Sequence, residues 1–437
     1  MIKAPVNLQE LRRRIYRKAK SDKAHRFWGI FVHLGKMETL EEAYRIAKRN
    51  GGACGTDGVT FEAIEASGVH VYLTRIREEL LSGTYHPNRN RKVKIPKGNG
   101  KVRTLQIPCI RDRVVQGALK LILEAIFEAD FCDNSHGFRP KRSQHRALAE
   151  VRRSLLRRMS RVIDVDLSQY FDTIRHSILL NKIGRRVQDP QVMHLIKQIL
   201  KASGRIGVPQ GGPFSPLAAN IYLNEVDWVF DDIRRKTTQG QGRYEAVNYH
   251  RFADDIVITV SGHHTKRAWP ERAMERLREA LEPLGVKLNE EKTKVVDTLN
   301  GESFGFLGFD LRRVRKRKEE GYFILLTPKK KSRLTIKAEI RQVIATGGAT
   351  PVSVIVERLN AKVAGWVQYF RVGNSSRAFS EVRDYLEMKV RILLTRRKRR
   401  RKRTIGWERW SNEYLYGVLG LYWGWKLQPL QSAEAYR

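Results

Sequence analysis

Cysteine is scarce: Cys54, Cys109 and Cys132 are the only three in 437 residues, and none stands in a C-x-x-C pair. Neither a disulfide framework nor a cysteine zinc site is expected. Long apolar runs are also missing. The uncharged stretch IGVPQGGPFSPLAANIYLN at 206–224 holds three prolines and three glycines in its first eleven residues. It reads as a loop and not as a membrane span. MIKAPVNLQELRRRIYRKAK is charged throughout and lacks the apolar core of a signal peptide, so a cytoplasmic protein is expected. No repeat of fixed period is visible. Negative charge is short as well: 46 Asp and Glu stand against 84 Lys and Arg, a net charge of +38. An excess of that size suits a polyanion, and nucleic acid, whose phosphates release counterions on binding, is the expected partner.

What is present is ample for several subdomains, with 41% hydrophobic residues. Residues 6–20 and 38–49 read as amphipathic basic helices. Residues 91–108 read as a hairpin closed by Gly-Asn-Gly. Helical patterns cover 111–130, 143–159, 175–202, 215–236 and 266–284, with a strand at 161–167 and short strands up to about 326. In the last third, Thr350-Pro351 has the chemistry of a helix start. Val352, Val356, Leu359, Val363 and Phe370 then form one stripe. Phe379, Val382, Leu386, Val390 and Leu393 form a second, on a helix opening at Ser375 or Ser376. Both stripes read as core packing. Residues 396–403, RRKRRRKR, are eight consecutive cations, followed by Trp407, Trp410, Trp423 and Trp425. Cations beside rings suit phosphates and bases.

The stretch HRFADDIVITV, 250–260, sets Asp254 and Asp255 side by side against a run of β-branched residues. Adjacent carboxylates repel, and an Asp-Asp pair is common in turns. A pair at a hairpin tip, joined by a third acid, can instead hold magnesium, which takes oxygen ligands. Two such ions clamp the attacking and leaving oxygens of a phosphoryl transfer. VIDVDLSQYFDT offers Asp164 and Asp166 on one strand face, with Asp172 beyond.

FADD within an apolar hairpin resembles the Tyr-x-Asp-Asp signature of reverse transcriptases. GVPQGGPFSPLAANIYLNEVD (207–227) is similar to the Pro-Gln-Gly block of group II intron-encoded members. So are NSHGFRPKRSQHRAL (134–148), IPKGNGKVRTLQIPCIRDRVVQGAL (95–119), KLNEEKTKVV (287–296) and FGFLGF (304–309). WVQYF (366–370) and GWERWSNEYLYGVLGLY (406–422) resemble the thumb, or maturase, part. These blocks stand in the family's order and cover nearly the whole chain.

The resemblance implies an α/β right-hand polymerase: fingers and an antiparallel-sheet palm over 1–312, an all-helical thumb over 322–395, and a basic aromatic tail over 396–437. It implies RNA-directed DNA synthesis with two Mg2+ ions and deoxynucleoside triphosphates, on an RNA template with a DNA primer or target. Asp166, Asp254 and Asp255 match the metal-binding carboxylates, with Leu167 carried over as part of that site; Asp164 and Asp172 are taken as structural. Phe171 matches the aromatic under the incoming sugar that excludes a 2′-hydroxyl, and Gln210 the glutamine at the nucleotide. Lys101 and Arg103 match the basic pair over the triphosphate. Lys292 is the candidate general acid for pyrophosphate, and Phe306, Leu307, Gly308 and Phe309 resemble the primer grip. Phe252 departs from the family's usual Tyr.

Many relatives carry a zinc-containing endonuclease, and with no paired cysteines a bacterial form without that module is expected, associated with the nucleoid. The partner implied is the parent group II intron RNA, bound as a ribonucleoprotein for splicing and retrohoming. Two alternatives stay open: a host-adopted reverse transcriptase without an intron, for repair or defence, and an RNA-binding splicing cofactor without polymerase activity.

Overall fold

A computed structural model describes residues 7–97, 101–238, 245–397 and 409–431, without the side chains of Lys97, Lys101 and Arg103. The Gly-Asn-Gly turn at 98–100, most of the eight-cation run and Trp407 lie outside the described residues. Among the described residues, nine strands form three sheets. β1 (Arg91–Lys97) and β2 (Lys101–Ile107) make the antiparallel hairpin expected between 91 and 108, with Arg103 opposite Ile95. β3 (Arg161–Val165), β4 (Val247–Phe252), β5 (Asp255–Val260) and β6 (Lys294–Asp297) form a sheet of order β4-β5-β3-β6. β7 (Ser303–Phe306), β8 (Phe309–Arg315) and β9 (Tyr322–Pro328) form an antiparallel meander.

The chain divides into two compact units, and β3 and β5 contribute residues to both. The first comprises Met1–Ser143, Val165–Ile258 and Ala268–Thr293. Its centre is the helix Ile110–Phe127, buried on almost every side, against which the helices Leu8–Ser21 and Met37–Asn50 pack. Leu8, Leu11, Ile15 and Ala19 supply the buried stripe of the first helix, whose outer face is basic.

The expected helix at 175–202 is two helices, His176–Gly184 and Pro190–Ser203. The break follows from Asp189-Pro190. Proline suits the first helical position but disfavours helical geometry in the residue before it. Asp189 therefore becomes the N-cap, its Oδ1 accepting from the N–H groups of Gln191 and Val192. Its Oδ2 accepts from the buried N–H of Phe31 at 3.0 Å.

The second unit comprises Gln144–Asp164, Thr259–Arg267 and Lys294–Arg437. Residues 322–328 are β9, paired along β8 and ending the run of short strands expected up to about 326, so the all-helical stretch begins at Lys330 and not at 322. Burial alternates along Tyr322–Pro328 with the two-residue period of a strand, one face of which is buried. Three helices follow, Lys330–Ala345, Val352–Phe370 and Ser376–Arg397. Pro351, not Thr350, is the N-cap of the second, and it makes no side-chain cap bond. Both apolar stripes are buried as expected except Val352, which is half-buried.

Asp189→Ala removes a cap and strands the Phe31 N–H. It is expected to lower unfolding free energy by about 2 kcal/mol in urea titration.

Candidate functional site

Asp254 and Asp255 are exposed, while Ile256 to Val260 behind them are buried. The strand therefore buries its apolar run and leaves both carboxylates in solvent at the hairpin tip. Strand order sets β5 beside β3. The Gly262 N–H donates to the Arg158 carbonyl at 3.0 Å, which puts the end of β5 at the beginning of β3. The opposite end of β5, with Asp254 and Asp255, therefore stands at the end of β3, where Asp166 follows.

Asp166 is held by the segment 287–293. The Asn289 N–H donates to the Asp166 carbonyl and the Ser168 N–H to the Lys287 carbonyl, both at 2.8 Å. This short ladder, with Leu167 opposite Leu288, brings Lys292 Nζ to 3.0 Å from Asp166 Oδ2. The Leu167 side chain is buried and carries no donor atom, so only its backbone carbonyl could meet an ion.

Among the described residues, no three His, Cys, Asp or Glu side chains converge as a preformed cation cluster. The donor chemistry nevertheless fits a hard divalent ion. Carboxylates gather at neighbouring strand ends, and one of them already carries a cation, the Lys292 ammonium.

The tip itself is clamped by residues whose function the sequence did not disclose. Ala253 has φ 59°, a left-handed backbone that costs an L-residue roughly 1–2 kcal/mol. Arg251, one residue before Phe252, has no exposed surface and forms a two-pronged ion pair with Asp227 at 2.7 and 2.6 Å. Burial opposes the charged guanidinium, but Asp227 outweighs it and raises the Arg251 pKa. Arg251 Nη1 also donates to the Ala253 carbonyl and to Asn220 Oδ1, both at 2.9 Å. Asn220 Nδ2 donates in turn to the Gly137 carbonyl at 2.7 Å. A Cβ at Gly137 would lie 2.3 Å from the Ala253 nitrogen, so only glycine lets the 134–137 segment press against the turn.

Asn220 and Asp227 lie seven residues apart on the helix Ser215–Thr237, two turns along one face. The available signal was Arg251 itself. An arginine inside a buried strand needs a buried carboxylate.

The loop carrying Gln210 sits on the short helix Tyr170–Thr173. The Val208 N–H donates to the Phe171 carbonyl and the Gly207 N–H to the Ile174 carbonyl, both at 2.8 Å. Half-buried Phe171 meets Tyr170 edge-on at 5.5 Å, and the Tyr170 hydroxyl donates to the Ala219 carbonyl. Gln210 Nε2 stands 3.5 Å from Asp172 Oδ2, and the Gln106 N–H of β2 donates to the Gln210 carbonyl at 3.1 Å. Phe171, Gln210 and the strand bearing Lys101 and Arg103 are thus tied together. Asp172, read as structural, belongs to the same group. Phe252 meets Phe138 at 6.3 Å.

Residues 306–309 lie in the second unit. Leu307 (φ 46°) and Gly308 (φ 78°) form the hairpin tip between β7 and β8, both with the positive φ of a type I′ turn. Phe306 and Phe309 are buried, Phe309 against Tyr369 and Phe370. Their rings belong to that unit's core, and the turn backbone is what they present. The Tyr369 hydroxyl donates to the Leu307 carbonyl at 2.8 Å.

Residues 95–311 match the model for reverse transcriptase (RNA-dependent DNA polymerase), and 333–414 that for the group II intron maturase-specific domain. Protein YkfC of Escherichia coli (strain K12) is 37% identical over 364 residues, 75% of this chain and 94% of that protein. The chain belongs to the group II intron-type reverse transcriptase/maturase family. It is an RNA-directed DNA polymerase of mixed helices and antiparallel sheets, right-hand polymerase-like, with a helical C-terminal region. Group II intron-encoded protein LtrA of Lactococcus lactis subsp. cremoris is 29% identical over 374 residues, 69% of this chain and 61% of that protein. The chain thus spans about three fifths of the Lactococcus protein's length. Reverse transcriptases work with divalent metal ions. No helix among the described residues is long and apolar enough to cross a membrane.

Gly137→Ala is expected to push the Ala253 turn out of place and cut single-nucleotide incorporation about 10²-fold, the scale of an ångström-sized misplacement. RNA affinity, measured by filter binding, should stay within about twofold of wild type.

Proposed function

We propose that this chain copies RNA into DNA with two Mg2+ ions held by Asp166, Asp254 and Asp255. In this reading it binds a group II intron RNA as a ribonucleoprotein, assisting splicing and insertion into DNA. The observation that supports the catalytic part most directly is the convergence of two strand ends, one bearing Asp254 and Asp255, the other Asp166 with Lys292 on its carboxylate. When bound, the ions would neutralise phosphate charge and activate the primer hydroxyl for in-line displacement.

The protein's own groups do the rest. Lys292, whose ammonium lies at Asp166, would give a proton to the departing pyrophosphate oxygen. Phe171, braced by Tyr170, would fill the space a ribose 2′-hydroxyl needs. Gln210 would contact the templated nucleotide from a loop pinned to both β2 and the Phe171 helix. Lys101 and Arg103, both carried on β2, would meet the triphosphate. Residues 306–309 would hold the primer end. As domains we propose fingers and palm to about 312, a thumb within 322–395 and a nucleic-acid-binding tail over 396–437. With +38 net charge, most RNA affinity would come from the basic surface and not from the carboxylates.

Asp254→Asn is expected to abolish primer extension in Mg2+ while leaving RNA affinity nearly unchanged. Extension equal to wild type would remove Asp254 from the site. Phe171→Ala should raise ribonucleotide use relative to deoxyribonucleotide use in single-nucleotide incorporation. An unchanged ratio would place the sugar filter elsewhere.

A further inference from the structure

The tail aromatics divide into two groups. Trp410 is buried, and its carbonyl accepts from Arg391 Nε at 2.8 Å. Trp425 meets Phe379 and Tyr422 edge-on at 5.9 and 5.7 Å, and its Nε1 donates to the Tyr422 carbonyl. Both are packing residues. The backbone between them is fixed: Asn360 donates to the Gly420 carbonyl and accepts from the Tyr422 N–H, each at 2.8 Å. On this rigid segment Trp423 remains 71% exposed. A firmly held backbone is presenting an indole to solvent.

Trp423 stands on a cavity of about 470 Å³, walled by Trp425, Tyr416, Asn412, Arg383 and Asp384. Its far wall is tied down, with the Tyr416 hydroxyl on Glu387 at 2.6 Å and Arg391 Nη1 on the same carboxylate at 3.2 Å. Asn412 Oδ1 accepts from Arg391 Nη2, which leaves the amide N–H groups as donors. Asp384 is an exposed acceptor, 3.5 Å from Arg383 Nε. Lys426 Nζ stands 5.7 Å from the Trp423 ring centre. A flat apolar face, donors and acceptors at its edge and cations beside it together match one kind of ligand. An unpaired base stacks by its face, hydrogen-bonds by its edge and brings a phosphate. The +38 charge of the chain favours that occupant over a protein or a neutral lipid surface.

We propose that the Trp423 cavity takes an unpaired base of single-stranded nucleic acid, with Arg383 and Lys426 toward the adjoining phosphates. The inference rests on the reading that this tail binds nucleic acid, and gives it a specific site. Because Trp423 is exposed, its replacement leaves the fold intact.

The test is fluorescence anisotropy with labelled RNA and DNA single strands and a duplex of equal length, on the full chain. Trp423→Ala should weaken single-strand binding about tenfold, from the usual value of one base stack, and Trp423→Phe by less. Duplex affinity, melting temperature and the salt slope of binding should not change, because a ring and not a cation is lost. Lys426→Ala should shallow that slope by up to about one contact's worth. Comparing the RNA and DNA arms tells which strand supplies the base.

Equal losses on single strand and duplex would overturn the proposal. So would unchanged affinity for both, which would leave the cavity to a protein partner. A lower melting temperature for Trp423→Ala would make the ring a packing residue. Failure of wild type itself to bind any of the three probes would instead strike at the broader reading.

Discussion

Arg251 and Asp227 face each other with no exposed surface on either side chain, and the hairpin tip that bears Asp254 and Asp255 is arranged around them. Such a pair adds little net stability, because desolvation consumes most of the attraction. Its value lies in geometry. The guanidinium has five N–H donors in a fixed plane, and two of its nitrogens are taken by Asp227. Nη1 is thereby aimed at the Ala253 carbonyl and Asn220, so a strand, a helix and a turn share one rigid planar group. The 134–137 segment joins through main-chain bonds on either side of Arg251 and through Asn220 to Gly137. Two repelling carboxylates at a strained hairpin tip are thus carried on a backbone that has little freedom to yield.

That clamp also answers the question raised by adjacent acids next to an apolar strand. The charges are not buried; only the strand behind them is. Asp254 and Asp255 are exposed to solvent, Lys292 pairs with Asp166, and the buried charge that needs a partner is the arginine. The cost of burial falls on Arg251 and Asp227 and not on the exposed acids at the tip.

In the second unit the same economy applies to aromatic rings. Trp366, Trp410 and Trp425 fill space between helices and the returning chain, while Trp423 does not. The descending chain 409–431 is bound to the helices Val352–Phe370 and Ser376–Arg397 by Asn360, Glu387 and Arg391. The described part of the tail is therefore continuous with the maturase-specific region in packing, whatever it binds.

The sequence by itself determined most of the elements, because periodicity and turn chemistry are local. The 91–107 hairpin, the helix Ser215–Thr237 and both late stripes lie where they were expected. It also marked Asp166, Asp254, Asp255 and the charge excess, since residue type and order carry the family resemblance. It misjudged 175–202, where one proline divides the helix, and it opened the all-helical thumb at 322, ahead of a last strand that belongs to the run of short strands it had read up to about 326. What only the tertiary structure decided are the pairings between distant residues: Arg251 with Asp227, Lys292 with Asp166, Gly137 against Ala253. Tryptophans alike in sequence likewise became wall or platform only on folding. A residue's identity states which partners it can accept. Which one it meets depends on how the chain crosses itself, and no local pattern encodes that crossing.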